Sequence, residues 1–329
     1  MPNRWFCLTI IAFWLGMMSW LVGREWWQRY GLPPTMVSAL DAVTAEGLVK
    51  VKWRLQGNGE KVGNALTEVK YDGRNYILDQ TVDLDMERIG NLPLFQFLGP
   101  LLTNMNFKLL QIKTTTELNP FGDLSRFKLD ATIPNPPRQA MLIRELNRPP
   151  QPIAKFTLES RPKPDGLLWA KLSLALSGEH VPLPAPYNKD YPLPYRGRDL
   201  ALGSLCPMDR MPGLRPGQTW QTPVSDPSSL IMFGMPGANN GVLTTLMDRQ
   251  PAQVRVLRDP EVLQWQGRDV ACWIIVTDQD NLHLRIWAQQ SDGLILKQSA
   301  KWGETQIDII RESTETSNER DEPRRAGSG

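Results

Sequence analysis

Residues 48–55 (LVKVKWRL) place Val49, Val51, Trp53 and Leu55 on one side and Lys50, Lys52 and Arg54 on the other. Successive side chains of a strand point to opposite faces of a sheet, so this alternation reads as a half-buried antiparallel strand. One such strand commits the chain to more, because a lone strand or hairpin cannot cover its own apolar side. The sequence supplies them. Gly57-Asn58-Gly59 is a hairpin signal, and Asp72-Gly73 separates strand-like runs at 65–71 and 75–80. Further runs lie at 107–116, 125–132, 153–160 and 167–175, with turn chemistry at 119–123 and 163–166. Runs at 254–257, 262–266, 270–277, 282–290, 294–300 and 305–311 read as an antiparallel meander that turns at 278–281 and 291–293.

A different pattern opens the chain. Residues 5–22 (WFCLTIIAFWLGMMSWLV) carry no charge over 18 positions. As a helix they would span roughly 27 Å, close to a bilayer core. Trp5 and Phe6 at one end and Trp26, Trp27 and Tyr30 at the other suit the two interfaces. Bulky tryptophans where a signal peptidase needs small residues argue against a cleaved signal. The sequence therefore predicts an anchor over residues 1–30, with the membrane contacted through 5–22 and the bulk on the periplasmic side.

Prolines divide the remainder. Of 28, 19 lie between Pro134 and Pro236. The segment 181–197 (VPLPAPYNKDYPLPYRG) reads as an extended connector, because proline lacks the donor for a sheet ladder and cannot continue a helix. The organisation expected is a β-rich domain over 31–215 containing that connector, a meander over 216–311 packed on it, and a disordered tail over 312–329. Residues 92–105 (LPLFQFLGPLLTNM) are apolar enough for a helix covering one face of a sheet. The fold class predicted is mainly β (α+β), a single transmembrane helix followed by curved antiparallel sheets with one or two covering helices.

Composition narrows the chemistry. Lys and Arg total 37 against 35 Asp and Glu, a formal net charge of +2, so no basic surface marks a nucleic-acid partner. Two histidines, His180 and His283, exclude most zinc sites built on imidazole. No phosphate-binding glycine loop, nucleophile elbow or paired-cysteine motif occurs. No catalytic residue, metal ligand or cofactor is assigned. Asp83 and Asp85 share one side of a strand-like run and are the carboxylate pair open to acid–base chemistry, although a solvated strand face explains them as well. Cys206 and Cys272 are a possible disulfide that would close a loop of about 65 residues, worth about 4 kcal/mol; two buried thiols are the alternative.

A pairing argument yields a ligand candidate. If residues 278–281 form a four-residue turn, Trp273 faces Ile286 and Ile275 faces Leu284 on an apolar side. The opposite side then sets Cys272 against Trp287, Ile274 against Arg285 and Val276 against His283. An apolar face bearing Trp287, Arg285 and His283 suits either a ligand or a covering helix.

The stretches MDRMPGLRPGQTW (208–220) and VACWIIVTDQDNLHLRIWAQQSDGLILKQ (270–298) resemble a family of uncharacterised bacterial envelope proteins. More distantly they are similar to the half-barrel fold of periplasmic lipoprotein carriers. That resemblance implies a curved antiparallel sheet around an apolar cavity and brings no catalytic residue. The function expected is non-enzymatic: a membrane-anchored envelope scaffold or a module binding a lipid-like ligand or another envelope protein. The alternatives are a hydrolase using Asp83/Asp85 or His283, and an interaction module acting through the Pro-rich segment.

Overall fold

The computed structural model describes residues 13–21, 40, 48–89, 109–134, 152–163, 168–176, 179–181, 191–193, 209–222, 252–279, 282–302 and 305–317. Sixteen strands make one sheet. The first group is β1 (Leu48–Gly57), β2 (Glu60–Tyr71), β3 (Tyr76–Asp85), β4 (Leu109–Leu118), β5 (Leu124–Ile133), β6 (Ala154–Pro162), β7 (Leu168–Leu176), β8 (Glu179–Val181) and β9 (Tyr191–Leu193). The second is β10 (Thr219–Thr222), β11 (Ala252–Val256), β12 (Glu261–Trp265), β13 (Arg268–Gln279), β14 (Leu282–Gln289), β15 (Ile295–Trp302) and β16 (Thr305–Ser317).

The order across the sheet is β10-β11-β13-β14-β15-β16-β1-β2-β3-β4-β5-β6-β7-β8, with β12 also on β13 and β9 also on β7. Every pairing is antiparallel. Each half is a meander of near neighbours, and the halves join where β16 lies against β1.

Local chemistry sets the hairpins. Asn58 and Gly59 both take positive φ, 49° and 88°, which is the two-residue turn matching the twist of paired strands. The Asp72 carboxylate accepts from the Arg74 and Asn75 amides at 2.9 and 2.7 Å and fixes the next turn. Gly63 answers a close approach, since a Cβ there would lie 2.3 Å from the Asp83 carbonyl oxygen on β3.

Register carries one inward face across the whole sheet. One row runs Val51, Thr67, Gln80, Thr114, Leu129, Leu158, Leu172 from β1 to β7. On the other half, Leu55 continues through Ile309, Gln298, Ile286 and Ile275 to Val256. Most of these side chains are buried in a single apolar cluster drawn from both halves. A twisted sheet wider than about ten strands curls. Bulges at Lys52/Trp53, Leu55/Gln56, Glu117/Leu118 and Trp287/Ala288 add local bends.

Several expectations are corrected. The strand runs read from the sequence are present, but in one continuous sheet instead of packed sheets under helices. The only helical residues described after Leu40 are the single turn Met86–Ile89. The expected covering helix at 92–105 lies outside the described residues. So do residues 5–12 and 22 of the expected span. Residues 13–21 are helical with Phe13, Trp14 and Trp20 exposed. Among the described residues no helix is long and apolar enough to cross a membrane, which corrects the single-pass, periplasmic-side localisation and the transmembrane element of the fold class.

Two smaller differences have simple causes. Tyr191–Leu193, inside the proline-rich connector, pairs with β7, Pro192 lying opposite Trp169; an edge strand tolerates proline because one of its sides makes no ladder. β16 continues through Ser317 along β1, into the stretch expected to be disordered. Residues 318–329 lie outside the described residues.

Candidate binding site

The inward face is the largest continuous surface the fold builds. It is mostly apolar and carries a short polar strip at neighbouring positions of β2, β3 and β4, where Thr67, Gln80 and Thr114 are all buried. Trp53 donates from Nε1 to Thr67 Oγ1 at 3.1 Å, and Thr114 donates to Gln80 Oε1 at 3.1 Å. Two inward hydroxyls differ. Ser160 on β6 and Thr277 on β13 are buried, and neither oxygen has a hydrogen-bond partner.

A buried charge pair sits in this interior. Arg311 on β16 is 1% exposed, and its guanidinium donates to Asp209 Oδ1 at 2.5 Å. Its other terminal nitrogen reaches the Asp209 and Ile295 carbonyl oxygens, each at 3.2 Å. Trp53 presents its ring 5.4 Å from the guanidinium carbon. Burial draws the Arg311 pKa below its ordinary value, while Asp209 pulls the other way. Asp209 also accepts from Arg210 Nε at 2.7 Å. The segment from Asp209 is bound to β15 by Ile295 N to Asp209 O at 3.0 Å and Met211 N to Gly293 O at 2.8 Å. Sequence reasoning missed Asp209 and Arg311: a charge inside a Pro/Gly-rich stretch and one at the end of an alternating strand give no sign of meeting.

The outward face differs between the halves. Over β1–β6 it carries a lattice of exposed ion pairs, among them Lys50–Glu68 at 2.9 Å, Lys70–Asp79 at 3.3 Å and Lys155–Asp130 at 3.4 Å. Over β13–β15 it carries a second apolar cluster, with Cys272, Ile274 and Leu296 buried beneath Leu263, Trp265 and Trp287. The cover is the β12–β13 hairpin. Its Trp265 Nε1 donates to the Arg311 carbonyl oxygen at 3.0 Å, and Gln266 donates to that of Glu312 at 2.9 Å.

The ligand candidates lie on this outward side. β13 and β14 pair with Cys272 opposite Gln289, Ile274 opposite Trp287, Val276 opposite Arg285 and Asp278 opposite His283. The expected register is therefore two residues out, because the strands extend to Gln279 and from Leu282. A two-residue slip preserves the faces, so Trp287, Arg285 and His283 do share one. Glu261 on β12 joins the first two: it pairs with the Arg285 guanidinium and accepts from Trp287 Nε1 at 3.0 Å. The Trp287 ring also has the Arg285 guanidinium carbon at 5.0 Å and Lys297 Nζ at 5.1 Å. Lys297 in turn pairs with Asp308 at 2.9 Å. This network fastens β12 to the sheet. His283 is exposed further along β14.

The remaining candidates are separate from it. Asp83 accepts from Gln111 Nε2 at 2.9 Å, while Asp85 pairs with Arg88 at 3.3 Å. Cys272 is a buried free thiol whose pKa is pushed up to about 11, chiefly by burial and further by Glu261. Cys206, its expected partner, lies outside the described residues. Among the described residues no three His, Cys, Asp or Glu side chains are grouped to hold a metal.

No family model matches the chain and no curated protein matches it. Among solved structures it is similar to a beta-barrel-like protein of domain of unknown function DUF1849 from Brucella abortus. The identity is 10%, the match covers 83% of this chain and 98% of that one, and the TM-score is 0.39. At that score the likeness is one of general outline only.

Proposed function

We propose that this protein is a non-enzymatic binding module that holds an elongated apolar ligand against the inward face of its sheet. The supporting observation is the largely apolar inward face carried in register across both halves, from Val256 on β11 to Leu172 on β7. About eight strands is the number whose inward side chains fill a closed barrel, and wider ones enclose ligand space. The sheet has fourteen strands in its main path, well beyond that number. Ligand pockets are concave and mostly apolar with a few placed polar groups, which describes this face with its Thr67–Gln80–Thr114 strip and two unpartnered hydroxyls.

The test is native mass spectrometry of gently purified protein, with solvent extraction of the same sample. A co-purified amphiphile at about one per chain is expected. Protein that carries none, and takes up none when supplied with a long-chain alkane or monoacylglycerol, would overturn the reading.

A further inference from the structure

We propose that the Ser160 hydroxyl anchors the polar end of the ligand, and that this end is uncharged: a neutral single-chain amphiphile of the monoacylglycerol or long-chain alcohol class. The proposal rests on the reading of the inward face as the ligand surface. Three observations carry it. First, Ser160 is 1% exposed and its oxygen has no hydrogen-bond partner, an arrangement that is destabilising unless something completes it. Second, Ser160 pairs with Phe127 on one side and with Ala170 on the other, and Ala170 is itself fully buried. The hydroxyl thus has a small side chain on one side of it. Thr277, the other unpartnered hydroxyl, lies between the bulkier Leu284 and Val254.

Third, the electrostatics select the class. Among the described residues the one buried cationic side chain is Arg311, and Asp209 already engages it. A carboxylate or phosphate brought to Ser160 would lose its hydration with no cation to compensate, which costs far more than burying a hydroxyl or ester. A neutral group that gives one hydrogen bond and takes one matches serine's capacity.

The experiment titrates the full chain and its Ser160→Ala variant with three probes of similar chain length: 1-monooleoylglycerol, oleate at pH 8, and octadecane. The expected result is tighter binding of monooleoylglycerol than of oleate, a five- to tenfold loss of monooleoylglycerol affinity in Ser160→Ala, and unchanged octadecane uptake. The unliganded variant should melt at the same temperature or higher, because an unpartnered buried hydroxyl has been removed. Unchanged monooleoylglycerol affinity in the variant, or oleate as the tightest probe, would overturn the Ser160 assignment while leaving the binding function standing. If the unaltered chain takes up none of the three, the binding function itself fails.

Discussion

The carbonyl oxygen of Met211 passes 2.1 Å from where a Cβ on Gly293 would sit, and Gly293 holds φ at +74°. Two constraints therefore meet in one residue: the turn between β14 and β15 needs a left-handed conformation, and the incoming Asp209 segment needs the vacated space. Gly267, between β12 and β13, shares the conformation at φ +75° but has nothing within 4 Å of its Cβ position.

These two glycines give a paired prediction. Gly267→Ala should cost about 1–2 kcal/mol, the ordinary penalty of a left-handed alanine. Gly293→Ala should cost clearly more, because the added methyl forces Met211 away and breaks the hydrogen bond from the Met211 N–H to the Gly293 carbonyl oxygen. Urea unfolding of both variants measures the difference; equal losses would show that the close approach does not matter.

The Arg311–Asp209 pair should behave as a buried charge pair does when one partner is removed. Arg311→Met or Asp209→Leu alone is expected to destabilise by about 3–5 kcal/mol, since the surviving group loses its partner in a dry site. The double variant Asp209→Leu with Arg311→Met should recover much of that loss. Unfolding midpoints for the four proteins form the cycle, and additive losses would count against direct coupling.

The Cys272 thiol should resist modification. With its pKa pushed up to about 11 by burial, almost no thiolate exists at pH 8, and thiolate is the reactive form. A maleimide or a disulfide reagent should label it only on unfolding. The sign of the pH dependence follows: a pKa raised in the fold contributes stability that is fully present below the ordinary value of 9.0 and is lost as pH rises toward about 11. Cys272→Ala should flatten that alkaline decline.

Acid acts through different groups. Burial alone would raise the Asp308 pKa, but hydrogen bonds from Ser299 and Gln306 and the adjacent Lys297 outweigh it and hold the carboxyl below its usual range. Asp130 is held down in the same way by Thr157, Lys155 and Lys128 against burial. A lowered carboxyl pKa gives stability present above the unfolded value, near 4, and lost as pH falls through the folded one. Melting temperature should therefore drop below about pH 4, and Asp308→Asn should make that drop shallower.

What could be read from the residues was local. Val49, Val51, Trp53 and Leu55 announce a strand whatever surrounds them, and Asn58-Gly59 announces its turn. The faces of β13 and β14 were legible even though their register was not, because a shift of two residues returns every side chain to the same side. Pairing across long separations left no such trace. Glu261 reaches Arg285 and Trp287 from another strand, and Asp209 reaches Arg311 over 102 residues, with no periodicity linking them. Pro192 misled for a different reason: its ring forbids a ladder on one side only, and an edge strand has one side to spare.

The junction of β16 with β1 carries a consequence for how the chain is assembled. β1 emerges from the ribosome first among these strands and β16 last, yet they are neighbours at the middle of the sheet. Each half can form hairpin by hairpin as it is made, but the seam must wait until β16 has been made. Until then both halves expose a ready-to-pair edge, and such edges invite contact with other chains. Closing the seam is an encounter over a long loop and thus slow. Aggregation in the cell should accordingly depend less on the strength of either half than on how long β1 waits for its partner.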